Sequence, residues 1–341
     1  MRFLIFFLIG ISSSYGFYPT RSELDKSLST FAIGSCNKQN KKQPLWKTIT
    51  LGRPQLFLWL GDIVYGNSPD HLVVRKKYLK QFNRAGYLGF AKATPILGIW
   101  DDHDFGMNNM GKGLKAKDQN QVSLLDFLEF PADSPVRSQK GIYNSVTWGL
   151  GRDQVKFILL DVRYFRDRPG RLGDILGRKQ WKWLKKELKN SKAAIHFFAS
   201  GTIFLGKDIP HGEEWVDYPR SFKKLFKTIN TLKPSGVVFL SGDKHVGTIL
   251  SHKNKGNTYH EFISSGLTHV NKPGEGLELK RELYGRDNVV NVLNFGQIDI
   301  NWGEENIDLK FMLKGTNGET IISRKLSKKR NSRFFVKVNS N

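Results

Sequence analysis

The chain has 341 residues, of which 39% are hydrophobic, 25% charged and 12% aromatic. That composition excludes a disordered chain and allows one large core or two modest ones. A formal charge of +23 points to anionic partners, and a single cysteine, Cys36, excludes an internal disulfide framework.

Residues 1–16 read as a secretory signal peptide. Met1-Arg2 gives a positive start, and Phe3 to Ile11 is an apolar run too short to span a bilayer as a mature helix. Ser12 to Gly16 then offers the small residues a signal peptidase reads, with cleavage after Gly16. An N-terminal membrane anchor is the alternative. The mature protein is expected to be secreted or periplasmic, and no later stretch is apolar for long enough to cross a membrane. Residues 17–30 form an N-terminal extension, 31–326 the main domain and 327–341 a basic C-terminal tail. The densest basic run, Arg324 to Arg333, reads as a solvated end, with polyanion binding the other reading.

From Phe31 onward, short apolar runs alternate with helical segments. Phe31-Ala32-Ile33 precedes Gly34-Ser35-Cys36-Asn37, Leu56 to Leu60 precedes Gly61-Asp62, and Ile96 to Trp100 precedes Asp101-Asp102-His103-Asp104. Phe157 to Leu160, Ile195 to Phe198, Val237 to Leu240 and Phe262-Ile263 are further runs, each closed by Gly or a polar turn. These are buried strands. Leu72 to Tyr87 and Arg178 to Asn190 are amphipathic helices, the second with Trp181, Leu184 and Leu188 on one face and lysines opposite. Strands alternating with helices predict an α/β fold. Near the end, Phe295 to Trp302 and Ile307 to Leu313 alternate strictly. Asn317-Gly318 follows, then Thr320-Ile321-Ile322, which predicts an antiparallel hairpin with a type I′ turn that extends the main sheet or packs beside it, a small separate domain being the alternative.

Ligands of α/β sheets sit at the carboxyl ends of strands. Here three apolar runs end in Asp or Asp/His clusters and a fourth in the lone Cys. Carboxylates crowded in a low-dielectric site repel one another unless a cation binds among them. Oxygen-rich ligands with His suit Ca, Mn, Fe or Zn, and a metal pair about 3.5–4 Å apart can serve phosphoryl transfer. Gly61-Asp62 alone is an ordinary turn. Asp101 to Asp104, four titratable residues after a buried strand, is not.

The set Gly34-Ser35-Cys36, Gly61-Asp62-Ile63-Val64-Tyr65, Trp100 to Asn108 and Gly242-Asp243-Lys244-His245 resembles the calcineurin-like metallophosphoesterases, and within them the PhoD-like alkaline phosphatases. Leu160-Asp161-Val162-Arg163 with Arg166, and Glu214-Trp215 before Pro219, fit the same family. The resemblance implies a four-layer α/β/β/α sandwich around a dinuclear or trinuclear metal site, with hydrolysis of phosphate mono- or diesters by metal-bound hydroxide. It makes Asp62 the bridging carboxylate. Cys36, Tyr65 and His245 would bind an iron-like ion, and Asp62, Asn108 and Asp243 would face a calcium-like one, with Asp102 contributing. Fe and Ca are the implied metals, with Mn or Zn as alternatives.

By the same resemblance, His103 sits where a histidine of the wider superfamily acts on the leaving group or the transition-state phosphoryl oxygens; the alternative is that it holds an Asp by hydrogen bond. Arg163 can grip a phosphate bidentately or pair with Asp161 or Asp167. Asn108 would also touch substrate. Cys36 is otherwise a buried structural thiol. The chain departs from the wider superfamily in having Gly-Ser-Cys-Asn where an Asp-x-His motif opens the first strand, and Asp-His-Asp in its middle motif. A second reading is a non-catalytic cationic module that binds cell-surface polyanions or nucleic acid. An anionic cell-surface polymer or phospholipid is a further candidate partner.

Overall fold

The computed structural model describes residues 17–206, 212–272 and 274–338. Among these, the strands are β1 (Thr30–Gly34), β2 (Phe57–Leu60), β3 (Ile96–Ile99), β4 (Asn144–Trp148), β5 (Val155–Leu159), β6 (Ile195–Ser200) and β7 (Val237–Ser241). They continue with β8 (Gly247–Asn254), β9 (Asn257–Ser264), β10 (Val289–Val290), β11 (Phe295–Trp302), β12 (Asn306–Lys314), β13 (Thr320–Lys329) and β14 (Val336–Lys337). They form two seven-stranded sheets, ordered β14-β13-β12-β11-β1-β2-β3 and β10-β8-β9-β7-β6-β5-β4. The strands that end in the polar clusters run parallel within each sheet: β1, β2 and β3 at one end of the first, and β5, β6, β7 and β9 across the second. Their carboxyl ends therefore share one edge.

The helices are α1 (Arg21–Leu24), α2 (Leu45–Leu51), α3 (His71–Phe82), α4 (Ala85–Ala91), α5 (Asp102–Phe105), α6 (Lys117–Phe127), α7 (Pro135–Ser138), α8 (Gly177–Lys189), α9 (Pro219–Leu232) and α10 (Leu277–Tyr284). Strands buried on both faces read as continuous apolar runs, which is why β2 is Phe-Leu-Trp-Leu with every residue buried. Between the sheets, Phe31 meets Phe157 and Phe197 at 5.3 and 5.1 Å, and Phe262 stacks on Phe311 at 4.2 Å. Outside the first sheet, Trp46 of α2 packs on Phe57 and Trp59. Outside the second, Trp181, Leu184 and Leu188 of α8 and Leu225 and Ile229 of α9 join Ile158, Phe198 and Phe239. This is the expected four-layer α/β/β/α arrangement. Truncating Phe31, central to the inter-sheet layer, costs about 3–5 kcal/mol.

Four expectations change. The helix expected over residues 72–87 is two helices, because the chain turns at Asn83-Arg84 before α4. The hairpin does extend the first sheet from β1, as expected, but as a three-stranded meander of β11, β12 and β13. Its Gly315–Glu319 loop has Gly318 at φ +83° but no positive φ at Asn317, so it is not a type I′ turn, which needs both. The boundary drawn at residue 326 falls inside β13, and beyond it Phe335 is core-buried. The signal peptide expected over residues 1–16 lies outside the described residues.

Candidate metal centre

Cys36, Asp62, Asp243 and His245 each sit two to four residues past a strand end with positive φ: +59°, +51°, +70° and +54°. Asn67 and Asn109, near the same place, share this conformation. Non-glycine residues adopt it at a cost of about 1–3 kcal/mol each, and such strain gathers at functional sites. The chain reverses sharply here and turns these side chains inward over the strand ends. Gly242 makes the approach of the two sheets possible: a Cβ there would lie 2.3 Å from Ser35 Oγ and 2.5 Å from the Leu60 carbonyl oxygen.

At one end, Cys36 Sγ lies 3.5 Å from Asp62 Oδ2, and Tyr65 Oη lies 3.2 Å from the same oxygen. Tyr65 Oη is also 3.2 Å from His245 Nε2. Ser265 Oγ accepts the His245 backbone N–H at 2.8 Å and leaves its own hydrogen for Cys36 Sγ, 3.0 Å away. Cys36, Asp62 and His245 each bring a ligand atom within 4.8 Å of the others, and so do Asp62, Asp102 and His103. Asp62 is common to both groups and stands between the two ends.

At the other end, the Asp101–Asp104 run divides by role. Asp104 accepts the Ile63 backbone N–H at 2.9 Å and that of Asp101 at 2.6 Å, so it ties α5 to the Asp62 turn. Asp101 pairs with Arg163 Nε at 2.6 Å. Only Asp102 and His103 face the centre. His103 points Nδ1 at Asn67 Oδ1 and stacks on Tyr65 with ring centroids 4.1 Å apart. Lys244 pairs with Asp243 at 2.8 Å and with Glu214.

Two expected site residues lie elsewhere. Arg163 is fully buried and its guanidinium is held by Asp101 and Glu213, so it is a structural brace and not an exposed phosphate grip. Nor does its side chain pair with Asp161 or Asp167; Asp161 accepts its backbone N–H at 2.9 Å, and Asp167 pairs with Lys112. Asn108 and Asn109 are both exposed, but it is Asn109 that reaches Asp102 and Glu213. The Asn109 backbone N–H donates to Asp102 Oδ2 at 2.7 Å. With its amide oriented to satisfy the network, Asn109 Nδ2 lies 2.8 Å from Glu213 Oε1 and 3.3 Å from Asp102 Oδ2. The left-handed turn at Asn109 reverses the sense of the two neighbours.

The electrostatics call for a cation. Burial, then the nearby Cys36 and Asp102, pushes the Asp62 carboxyl well above its ordinary value. Burial raises the Cys36 thiol to about 11 and pushes the Tyr65 phenol up as well. Burial lowers His245 to about 4, leaving a neutral imidazole fit to ligate. Asp243 is the exception: burial raises it, but Lys244 and then Arg163 override that and hold it ionised. Asp62 Oδ1 is buried without a hydrogen-bond partner. A thiol, a phenol and a carboxyl that resist ionisation in an otherwise uncompensated pocket are the state that bound cations reverse. The donors present therefore fit metal ions.

The family model for PhoD-like phosphatases matches residues 31–311. The chain belongs to the PhoD-like phosphatase family. It is accordingly a metal-dependent phosphoesterase, a hydrolase of phosphate esters that works with divalent metal ions. The fold is similar to that solved for PhoD, at TM-score 0.69 and 17% identity, covering 93% of this chain and 72% of that one. A purple acid phosphatase, PPD1, from yellow lupin seeds aligns at TM-score 0.54 and 13% identity over 88% of this chain and 54% of its own. A dimetal phosphatase from Danio rerio aligns at 0.53 and 12% identity over 90% of this chain and 100% of its own. No curated protein sequence matches the chain.

Several residues of this neighbourhood escaped the sequence reading. Asn67 lies two residues past the Tyr65 motif, and Glu213 immediately precedes the Glu214-Trp215 landmark. His269 lies five residues past the end of β9, and following that strand end beyond Ser264-Ser265-Gly266 would have reached it. Lys38 is half-buried, with its Nζ 4.8 Å from the Tyr65 ring centroid.

Proposed function

We propose that this enzyme hydrolyses phosphate mono- or diesters outside the cytoplasm, with an iron-like ion at the Cys36 end and a calcium-like ion at the Asp102 end. The observation that carries this is the convergence on Asp62 of two unlike donor groups: sulfur, phenol and imidazole on one side, carboxylate on the other. Thiolate and phenolate suit ferric iron, and carboxylate and amide oxygens suit calcium, with Mn or Zn as alternatives. When bound, the ions polarise the phosphoryl group and activate the attacking water.

The chain's own residues set the geometry. Asp62 spans the two ends. His103, with Nδ1 held toward Asn67 and its ring against Tyr65, stands beside Asp62 and Asp102, where it serves the leaving oxygen. With Arg163 internal, the half-buried Lys38 beside the Tyr65 ring is a cation that can meet a phosphate. Asn109 stands where Asn108 was expected. Asn109 and Arg166 border a cleft of about 270 Å³ that continues over Met110, Lys112 and Pro169 and would take the ester's organic group. Assays of p-nitrophenyl phosphate against its bis ester, with Ca, Fe, Mn or Zn added, test the reading. Turnover of either supports it and ranks the substrates; failure of both sinks it.

Export rests on the N-terminal pattern, and one contact favours cleavage after Gly16. Phe17 is buried, and its backbone N–H donates to Glu129 Oε2 at 2.8 Å. Cleavage there would place an α-ammonium against that carboxylate. N-terminal sequencing of the exported protein tests this, and a start at any other residue contradicts it.

A polyanion-binding role is favoured by α8 and α9, which together carry ten Lys and Arg residues and one Glu, Glu187. Glu187 pairs with Lys156, and no ion pair among the described residues engages the ten. Between the two helices, Lys185, Lys224 and Lys227 line a groove of about 380 Å³. An anionic polymer or phospholipid surface is the partner this face fits. Binding should weaken steeply with salt and survive Asp62→Asn and Asp243→Asn. Binding that disappears with those substitutions contradicts it.

A further inference from the structure

His269 has no role in the account so far. Its side chain is buried, and Nε2 lies 2.9 Å from Tyr65 Oη and 3.1 Å from His245 Nε2. The far side of the ring decides what Nε2 carries. Thr268 Oγ1 has one hydrogen, and it donates that hydrogen to the Cys36 carbonyl at 3.2 Å. Toward the Lys38 backbone N–H, 2.7 Å away, and toward His269 Nδ1, 3.3 Å away, the same oxygen can only accept. Nδ1 therefore holds the ring hydrogen, and Nε2 presents a bare lone pair to Tyr65 and His245.

The hydrogens at this cluster do not suffice. Four contacts need one each: Tyr65 with Asp62, Tyr65 with His245, Tyr65 with His269, and His245 with His269. Tyr65 and His245 can supply one apiece and a protonated Asp62 a third, so at least one contact sets lone pair against lone pair. The spacing offers the resolution. The four separations are 3.2, 3.2, 2.9 and 3.1 Å. Donors about 2.1 Å from one shared ion, at right angles to tetrahedral angles, lie about 3.0–3.4 Å from each other.

We propose that His269 is a fifth protein donor to the ion held by Cys36, Asp62, Tyr65 and His245, and that Thr268 orients its ring. The set of one sulfur, two nitrogens and two oxygens takes a borderline or trivalent ion in preference to calcium. The imidazole held from behind by a hydroxyl follows the rule that the second ring nitrogen of a ligating His is itself hydrogen-bonded. The inference rests on the reading of this pocket as a metal centre.

Cobalt(II) titrated into metal-stripped protein tests it, because thiolate-to-cobalt charge-transfer absorption reports the ion at Cys36 alone; Cys36→Ser, which should abolish the band, is the control. The expected result is that His269→Ala weakens cobalt binding at this end by at least about tenfold and changes the cobalt d–d bands. Thr268→Val, which leaves the imidazole in place, should weaken it less. His269→Ala with wild-type affinity and spectrum overturns the proposal, as does a wild-type protein that binds cobalt without a thiolate band. Wild-type protein that binds no cobalt overturns the metal-centre reading itself. Should His269→Ala fail to fold, Thr268→Val decides: unchanged affinity and bands overturn the proposal.

Discussion

The two ends of the centre are built on different principles. The Cys36 end is made of side chains that burial drives toward neutrality: a thiol raised to about 11, a phenol pushed up and an imidazole lowered to about 4. The Asp102 end is braced by fixed charge. Arg163 and Arg166 hold Glu213, Arg163 holds Asp101, and Lys244 keeps Asp243 ionised. One end acquires its charge only when an ion arrives; the other already stores charge in buried ion pairs. The difference sets an end of neutral donors against an end of paired charges, with Asp62 between them, and it is the contrast on which the proposed pair of unlike ions rests.

Asp62→Asn should break the comparison altogether, because both ends share that carboxylate. We expect activity to fall by at least about a thousandfold, with metal content lost from both ends, as read by turnover and elemental analysis. Arg163→Ala strikes only the braced end. It leaves Asp101 and Glu213 buried and unpaired, so a loss of about 3–5 kcal/mol in denaturant unfolding is expected. A change in KM with unaltered stability would restore Arg163 to the role of a phosphate grip.

The next effects are smaller. Asn109→Ala should lower kcat by about tenfold and Asn108→Ala by less than about twofold, since only the former faces Asp102. The reverse order would return the role to Asn108. A control lies far from the metals. Burial lowers His196 and His260 from 6.5 to about 4, so both are neutral in the native state. The unfolded chain binds more protons below 6.5, so their contribution is intact above pH 6.5 and lost as pH falls toward 4. Melting temperature should drop across that window with or without metal; a flat profile contradicts the assignment.

Much of this was legible in the sequence. The strand-end clusters at Gly61-Asp62, Asp102-His103 and Asp243-Lys244-His245 announced themselves because apolar runs end abruptly in polar residues. The alternating C-terminal segments gave the antiparallel extension. Asn109 was not legible, since two adjacent asparagines differ only in a local φ of +58°. Arg163 looked like a phosphate ligand because its burial depends on Glu213, fifty residues away and on the far side of β6. His269 was silent for a similar reason: its partners, Tyr65 and His245, meet it only once both sheets are assembled.

The central claim is that two unlike ions share Asp62. Elemental analysis of the purified wild type beside Cys36→Ser and Asp243→Asn tests it most directly. The account predicts two different metals in the wild type, with Cys36→Ser losing the iron-like one and Asp243→Asn the calcium-like one. A single metal species, or the same ion lost from both variants, would contradict it.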